Sequence, residues 1–353
     1  MQNKRFQKRS RGIIVTLLLL SIIVGISATG LLVPASATDI NKDSGEIKLY
    51  PGGMPFGVKF FTKGILVVGF SDVLTAKSKV NPAYDAGLRT KDVITKIGKK
   101  DAQSIDDLIS AIENCGGREI EVSYMRDGIE YTVKMTPVLC AEDNKYKAGM
   151  WIRDSGAGIG TVTFIDPETL NFGGLGHGIC DVDTGALMPI SRGSVLTVTI
   201  SGVTKGESGS PGELKGYFGD KKWGALTSNT DCGVFGVFPS LPEELSEGLL
   251  PAAGKDEIKT GPAYILCTLK ENKVCKYDVE ISAINKRDTA TKNFSIRVTD
   301  PALIAECGGI VQGLSGSPVI QDGKIVGAVT HVLVNDPTSG YGIFIENMLK
   351  AAK

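Results

Sequence analysis

Gly313-Leu314-Ser315-Gly316-Ser317-Pro318 sets a serine in a glycine-framed turn just ahead of an apolar hairpin, Val319 to Val329. A serine hydroxyl attacks a carbonyl only when a general base takes its proton and backbone N–H groups receive the developing oxyanion. Gly313 and Gly316 permit the tight, partly positive-φ backbone that turns the N–H groups of Gly313 and Ser315 towards one point. The expected base is a histidine, and the chain has 2, His177 and His331.

His177 stands in Gly173-Gly174-Leu175-Gly176-His177-Gly178, after a strand-like alternation at Ile159 to Ile165 and a turn at Asp166-Pro167-Glu168. Among glycines it has little core to fill, which favours a catalytic base over a loop cap. His331 lies within Ala328-Val329-Thr330-His331-Val332-Leu333, whose alternation suits a strand wall. A third group, a carboxylate, should hold the imidazole tautomer. Asp181, Asp183, Asp220, Asp231 and Asp300 all lie near strand ends, and spacing does not choose among them. A second serine motif, Gly206-Glu207-Ser208-Gly209-Ser210-Pro211, has polar surroundings and no apolar hairpin after it, so it reads as a surface or cleft-edge loop.

His177 in Gly-Leu-Gly-His-Gly, Asp300 in Val298-Thr299-Asp300-Pro301 and the run Gly309 to Pro318 resemble the stage IV sporulation protein B serine peptidases of endospore-forming bacteria. So does Val329 to Gly342, and the match extends from about Ile47 to the end. The resemblance implies a catalytic set of His177, Asp300 and Ser315, and a chymotrypsin-like double β-barrel. It implies a role in sporulation: self-cleavage, then cutting of a membrane-bound inhibitor that restrains an intramembrane metalloprotease processing a late sigma factor precursor. In such a fold the strand after the nucleophile hairpin walls the pocket for the residue preceding the cleaved bond, which assigns substrate binding to Val329, Thr330 and His331.

Two departures follow from the residues. Leu314 stands where chymotrypsin-like enzymes carry an aspartate before the nucleophile, so a freed N-terminal amine has no such partner here. Asp300 is close before Ser315 in sequence, whereas the orienting aspartate of ordinary relatives follows the histidine; Asp231, in Asn229-Thr230-Asp231-Cys232-Gly233, is the alternative.

Lys4, Arg5, Lys8, Arg9 and Arg11 precede an apolar run from Ile13 to Val33, followed by Ala35-Ser36-Ala37. Residues 1–37 read as a signal peptide or membrane anchor that puts the rest of the chain outside the cytoplasm, in the space between forespore and mother-cell membranes if the resemblance holds. Residues 38–46 are a polar linker. Acidic and basic residues balance at 39 each, which leaves no basic footprint for nucleic acid. The 7 cysteines form no Cys-x-x-Cys pair, so no zinc ribbon is encoded, and the chemistry requires no metal or cofactor.

Residues 47–137 read as a compact α+β unit: strands at Gly57 to Phe61 and Ile65 to Phe70, an amphipathic helix from Ser104 to Cys115, and two strands joined at Arg126-Asp127-Gly128. Asn81-Pro82-Ala83-Tyr84-Asp85-Ala86-Gly87-Leu88 and Asp92-Val93-Ile94 make it similar to a PDZ domain, which binds an extended peptide or protein C-terminus by strand addition. The stretch bearing Gly52, Gly53, Gly57 and Val58 is expected to supply the pairing backbone. Residues 138–150 form a linker, and 151–353 a glycine-rich β region read as two antiparallel barrels, with His177 from the first and Ser315 from the second. The expectation is therefore a mainly β, exported serine endopeptidase with a PDZ domain. A catalytically silent PDZ adaptor, a paralogous peptidase with another envelope substrate and an esterase are the alternatives.

Overall fold

The computed structural model describes residues 46–287 and 291–353, so the basic and apolar N-terminal segment lies outside the described residues. Strands of four residues or more are numbered in chain order. The first region holds β1 (Lys48–Pro51), β2 (Pro55–Phe70), β3 (Val93–Ile97), β4 (Ile120–Arg126) and β5 (Ile129–Met135). Then come β6 (Met150–Ile165), β7 (Asn171–Gly174), β8 (Ile190–Thr204), β9 (Glu213–Thr230) and β10 (Gly233–Val237). The last region holds β11 (Gly261–Thr268), β12 (Val274–Ile284), β13 (Phe294–Val298), β14 (Pro318–Gln321), β15 (Lys324–Leu333) and β16 (Asp336–Phe344). The helices are α1 (Pro82–Asp85), α2 (Ile105–Asn114), α3 (Pro301–Cys307) and α4 (Ile345–Ala351).

Antiparallel pairing carries the chain round a first ring, β2-β6-β7-β10-β9-β8 and back to β2. The first half of β2 alternates with period two, burying Phe56, Val58 and Phe60 inside this ring while Lys59 and Phe61 point out. The second ring is a closed barrel in the order β11-β12-β13-β16-β15-β14. Closure of each ring leaves no long unpaired edge. Phe164 and Phe235 of the first ring pack with Ile325, Ala328, Ile343 and Met348 of the second region, so the barrels share an apolar seam.

The second half of β2 leaves the ring and joins β3, β4 and β5. Ile65 and Val67 pack there with Leu88, Ile94, Leu108, Ile112 and Val122 around a small separate core. Ser104 caps α2 as its spacing predicts, its Oγ accepting the Asp107 N–H at 3.2 Å. Asp92, wholly buried, takes two hydrogen bonds of 2.7 Å from Arg126 and one from the Arg89 N–H, and so closes the α1 end of this unit. The boundary expected at residue 47 is displaced: Lys48–Pro51 and the start of β2 belong to the barrel side, because their neighbours are β6 and β8. All seven cysteines are free thiols. Among the described residues no helix is long and apolar enough to cross a membrane.

Candidate active site

The Ser315 turn is fixed from below by β6. Thr161 donates its N–H to the Ser315 carbonyl at 3.0 Å and its hydroxyl to the Gly313 carbonyl at 2.8 Å, and Thr163 donates its hydroxyl to the Gly316 carbonyl at 2.7 Å. Gly313 and Gly316 both adopt φ of 96°, a conformation that disfavours a side chain, and a Cβ on Gly316 would collide with the Thr161 carbonyl. The N–H groups of Gln312, Leu314, Gly316 and Ser317 donate to Gly212, Val311, Val329 and Leu314 carbonyls. Those of Gly313 and Ser315 have no acceptor among the described residues, so the two donors expected to form an oxyanion hole are free to do so. The Ser315 hydroxyl itself donates to the Thr330 carbonyl at 2.8 Å.

His177 follows two consecutive left-handed residues, Leu175 at φ 66° and Gly176 at φ 68°. Leu175 carries a Cβ and is strained there, a cost of about 1–3 kcal/mol offset by burial of its side chain in the first-barrel core and by its N–H bond to the Thr161 carbonyl. The following loop is held by Asn229, whose amide accepts the Ile179 N–H and donates to the Ile179 and Met188 carbonyls. Buried Asp181 pairs with Arg153 of β6 and accepts from Asp183 and Thr184. The His177 Nδ1–H donates to the Gly178 carbonyl at 2.9 Å, which leaves Nε2 as the unprotonated, proton-accepting nitrogen.

His177 and Ser315 line one cleft of about 570 Å³, with Gln312, Gly313, Thr330 and His331 also on its wall. Burial lowers the His177 pKa from 6.5, outweighing the Gly178 carbonyl that favours the cation. The His331 ring lies 5.1 Å from that of His177, centroid to centroid. Its pKa falls to about 4, through burial first and then the neighbouring His177 and Lys292, and its Nδ1 is buried with no hydrogen-bond partner among the described residues. Both rings are therefore neutral near pH 7, the state a general base requires.

Three expected residues are placed otherwise. Asp300 does not meet His177: its carboxylate caps α3, accepting from the N–H groups of Ala302 and Leu303, and also from Asp278. Register explains the separation. Ser295 pairs with Tyr341 of β16, which in turn pairs with His331, and from Ser295 to Val298 alone β13 runs about 10 Å further away at ~3.3 Å per residue. Val329 points into the second-barrel core, wholly buried, whereas its neighbours Thr330 and His331 reach the cleft. Val58 cannot pair with a peptide, because Gly158 on one side and Val195 on the other already occupy its strand edges; its side chain is buried in the first-barrel core, beside the Ser315 cleft. Ser208 lies on an exposed loop with its hydroxyl on the Asn335 carbonyl at 2.9 Å.

The groove of the PDZ-like unit is built from elsewhere. A cavity of about 580 Å³ lies between α2 and the start of β6, lined by Leu74, Leu108, Ile109, Ile112, Met150 and Trp151. Trp151 is 62% exposed on it. Met150 to Arg153 pair with the second half of β2, so the strand beside α2 comes from the segment read as linker and barrel. Thr161, Thr163, Arg153 and Asn229 carry no motif and were not singled out by sequence. Among the described residues no group of three or more His, Cys, Asp or Glu side chains could hold a metal ion.

Residues 64–136 match the PDZ domain family, and residues 144–349 match the family described as SpoIVB peptidase S55. No curated protein matches the chain. Among solved structures, the active form of the Rv3671c protease from M. tuberculosis is 17% identical with a TM-score of 0.33, over 55% of this chain and 72% of that one. The HtrA-type protease AlgW with decapeptide is 13% identical with a TM-score of 0.33, over 58% and 53%. The PDZ domain of the SdrC-like protein from Listeria monocytogenes is 18% identical with a TM-score of 0.21, over 26% and 87%. With the family match spanning more than half of its length, from Asn144 to Leu349, the chain belongs to the SpoIVB peptidase S55 family and is a serine endopeptidase.

Proposed function

We propose that Ser315 is the nucleophile of this peptidase, His177 its general base and the N–H groups of Gly313 and Ser315 its oxyanion hole. The observation that carries the reading is the pair of unengaged N–H groups in the Ser315 turn, on the wall of the same cleft that His177 lines. Attack requires the Ser315 side chain to turn from the Thr330 carbonyl towards His177 Nε2. His177 takes the proton, the tetrahedral oxyanion rests on the two N–H groups, and His177 then protonates the leaving amine. Thr330 and His331, on the cleft wall, contact the substrate.

The substrate is a membrane-bound regulatory protein outside the cytoplasm, cut after the enzyme cleaves its own N-terminal segment, and the setting is sporulation signalling through an intramembrane metalloprotease. Family membership supports this pathway, and the PDZ groove beside α2 gives it a means of holding an extended peptide end. The test is to incubate the full chain and its Ser315→Ala variant separately and to sequence new N-termini, alongside labelling with a fluorophosphonate. New termini and label in the wild type alone support the reading; identical termini in the variant, or no label in either, end it.

A further inference from the structure

A trans peptide sends its carbonyl and its N–H to opposite sides, so whatever holds the carbonyl also aims the N–H. The two N–H groups assigned to the oxyanion belong to two peptides held in different ways. The Leu314–Ser315 peptide is held inside its own turn, its carbonyl accepting the Ser317 N–H at 3.0 Å. The Gln312–Gly313 peptide is held from the other barrel, where the Leu214 N–H donates to the Gln312 carbonyl at 2.8 Å. Glycine at 313 gives that outside hold its importance. A φ of 96° and the Leu214 side chain, which a Cβ on Gly313 would meet at 3.0 Å, call for glycine here, and glycine has no side chain to stop its own peptide turning over.

Leu214 stands at the start of β9, at the end of the β8–β9 loop that carries the second serine motif. That loop is docked on the second barrel region. Gly206 donates its N–H to the Cys307 carbonyl and Gly209 to the Val334 carbonyl, both at 2.8 Å, and the Ser208 hydroxyl donates to Asn335. The Gly212 carbonyl accepts the Gln312 N–H at 2.8 Å, so Glu213 and Gln312 form a parallel bridge. Gly308 comes so close that a Cβ on it would lie 2.2 Å from the Gly206 carbonyl oxygen. The Leu214 side chain is buried in the same core as Val311 and Leu314, the residues that flank the Gln312–Gly313 pair. Leu314 offers no carboxylate with which an ion pair could set this turn; backbone bonds from the first barrel hold it instead.

We propose that Leu214 is a positioning residue of the oxyanion hole: its N–H, presented by the β8–β9 loop, fixes the Gln312–Gly313 peptide with the Gly313 N–H turned to the cleft. The inference rests on the reading of Gly313 and Ser315 as the oxyanion donors. It makes the stretch from Gly206 to Pro211 an anchor for the catalytic turn, spread over several bonds.

Gln312-Gly313 is the only Gln-Gly pair in the chain, so ¹³C at glutamine carbonyls with ¹⁵N at glycines isolates the Gly313 amide in a carbonyl–amide NMR correlation. The experiment reads the rate of fluorophosphonate labelling of Ser315, then the Gly313 amide proton in the finished adduct, whose phosphoryl oxygen takes the oxyanion position. In the full wild-type chain that proton should move downfield on adduct formation. Leu214→Pro deletes the donor; it should label roughly 10²–10³-fold more slowly, with the Gly313 proton unmoved. Leu214→Ala keeps the donor and should label at least about tenfold faster than the proline variant, with the shift retained. Gly212→Ala keeps every N–H, but its Cβ would stand 2.2 Å from the Thr204 carbonyl oxygen and so forces the loop away from Gln312. It should repeat the proline result, and it decides the matter if circular dichroism shows Leu214→Pro unfolded. A wild-type rate or a retained downfield shift in the folded variant overturns the assignment, as does equal slowing in Leu214→Ala, which would place the effect in core packing. A wild-type adduct whose Gly313 proton does not move refutes the oxyanion reading itself and the inference with it, and absence of label refutes the peptidase chemistry.

Discussion

Thr161 joins the two halves of the site: its N–H reaches the Ser315 carbonyl at 3.0 Å, while its own carbonyl accepts the N–H of Leu175, two residues before His177, at 3.2 Å. Its hydroxyl adds the bond to Gly313 at 2.8 Å. Thr161→Val keeps the shape and the strand but leaves the Gly313 carbonyl without that donor, at a cost of about 1–3 kcal/mol. Because the loss falls on the turn that carries both proposed oxyanion donors, turnover should drop by about tenfold or more, with Thr161→Ser near wild type. Labelling rate at Ser315 together with the thermal midpoint checks this, and equal behaviour of the two variants would separate Thr161 from the geometry of the turn.

Ser315→Ala should abolish hydrolysis and covalent labelling, a loss on the order of 10⁴–10⁶ in rate for a serine nucleophile. His177→Ala should be comparably damaging. Ser208→Ala removes only a hydroxyl bonded to the Asn335 carbonyl on an exposed loop, and should keep most of the activity. The same labelling assay, followed by identification of the modified peptide, distinguishes the three.

The glycine-framed turn at Ser315 and the glycine setting of His177 were legible in sequence because glycines at forced backbone positions leave a pattern that composition alone does not. The α2 cap and the strand alternation of the barrels were legible for the same local reason. Asp300 misleads because an aspartate before proline at a strand end suits an N-cap as well as it suits catalysis, and only register shows how far β13 carries it from His331. Val58 misleads because β2 is one continuous strand serving two units, and no residue marks where it passes from barrel to PDZ core. The ties made by Thr161 and Asn229 span long separations between ordinary polar residues, so no spacing rule could have found them.

The cap on α3 makes its own prediction. Asp300→Ala should lower stability by about 1 kcal/mol, since the N–H groups of Ala302 and Leu303 lose their acceptor, whereas asparagine, an equally good cap, should cost far less. Thermal melts of the two variants decide it; equal destabilisation would show that the charge of Asp300, and not its capping geometry, is what the fold uses.

His331 should make stability depend on pH in acid. Its folded pKa of about 4 lies below the ordinary value of 6.5, so between those values the unfolded chain binds the proton and the folded chain resists it. The stability from the neutral buried ring is therefore present in full above about pH 6.5 and declines as pH falls towards 4. His177, shifted in the same direction by burial, adds to the decline. His331→Gln should flatten this part of the curve, measured as denaturant midpoints across the window. An unchanged slope would mean that the His331 ring is not desolvated in solution.

The location of the PDZ groove gives the last test. Ile109 is 45% exposed on α2 and faces the groove, while its neighbours Leu108 and Ile112 are buried in the core, so Ile109→Glu changes the groove wall without opening the unit. A buried carboxylate against an apolar peptide side chain is unfavourable by several kcal/mol unless paired, which removes peptide capture there. The peptidase cleft is lined by none of the α2 residues, so a short model peptide should be cleaved at close to the wild-type rate. A full-length protein substrate held by the groove should be cleaved poorly, because it loses the raised local concentration that groove binding would provide. Val58→Pro, by contrast, removes a backbone donor from a strand paired on both sides and should damage both reactions through the first barrel. Circular dichroism establishes that Ile109→Glu is folded. If that folded variant loses both activities equally, occupancy of the groove acts on the catalytic turn through β6, which runs from Trp151 in the groove to Thr161 beneath Ser315, and the groove then serves to activate the enzyme as well as to hold its substrate.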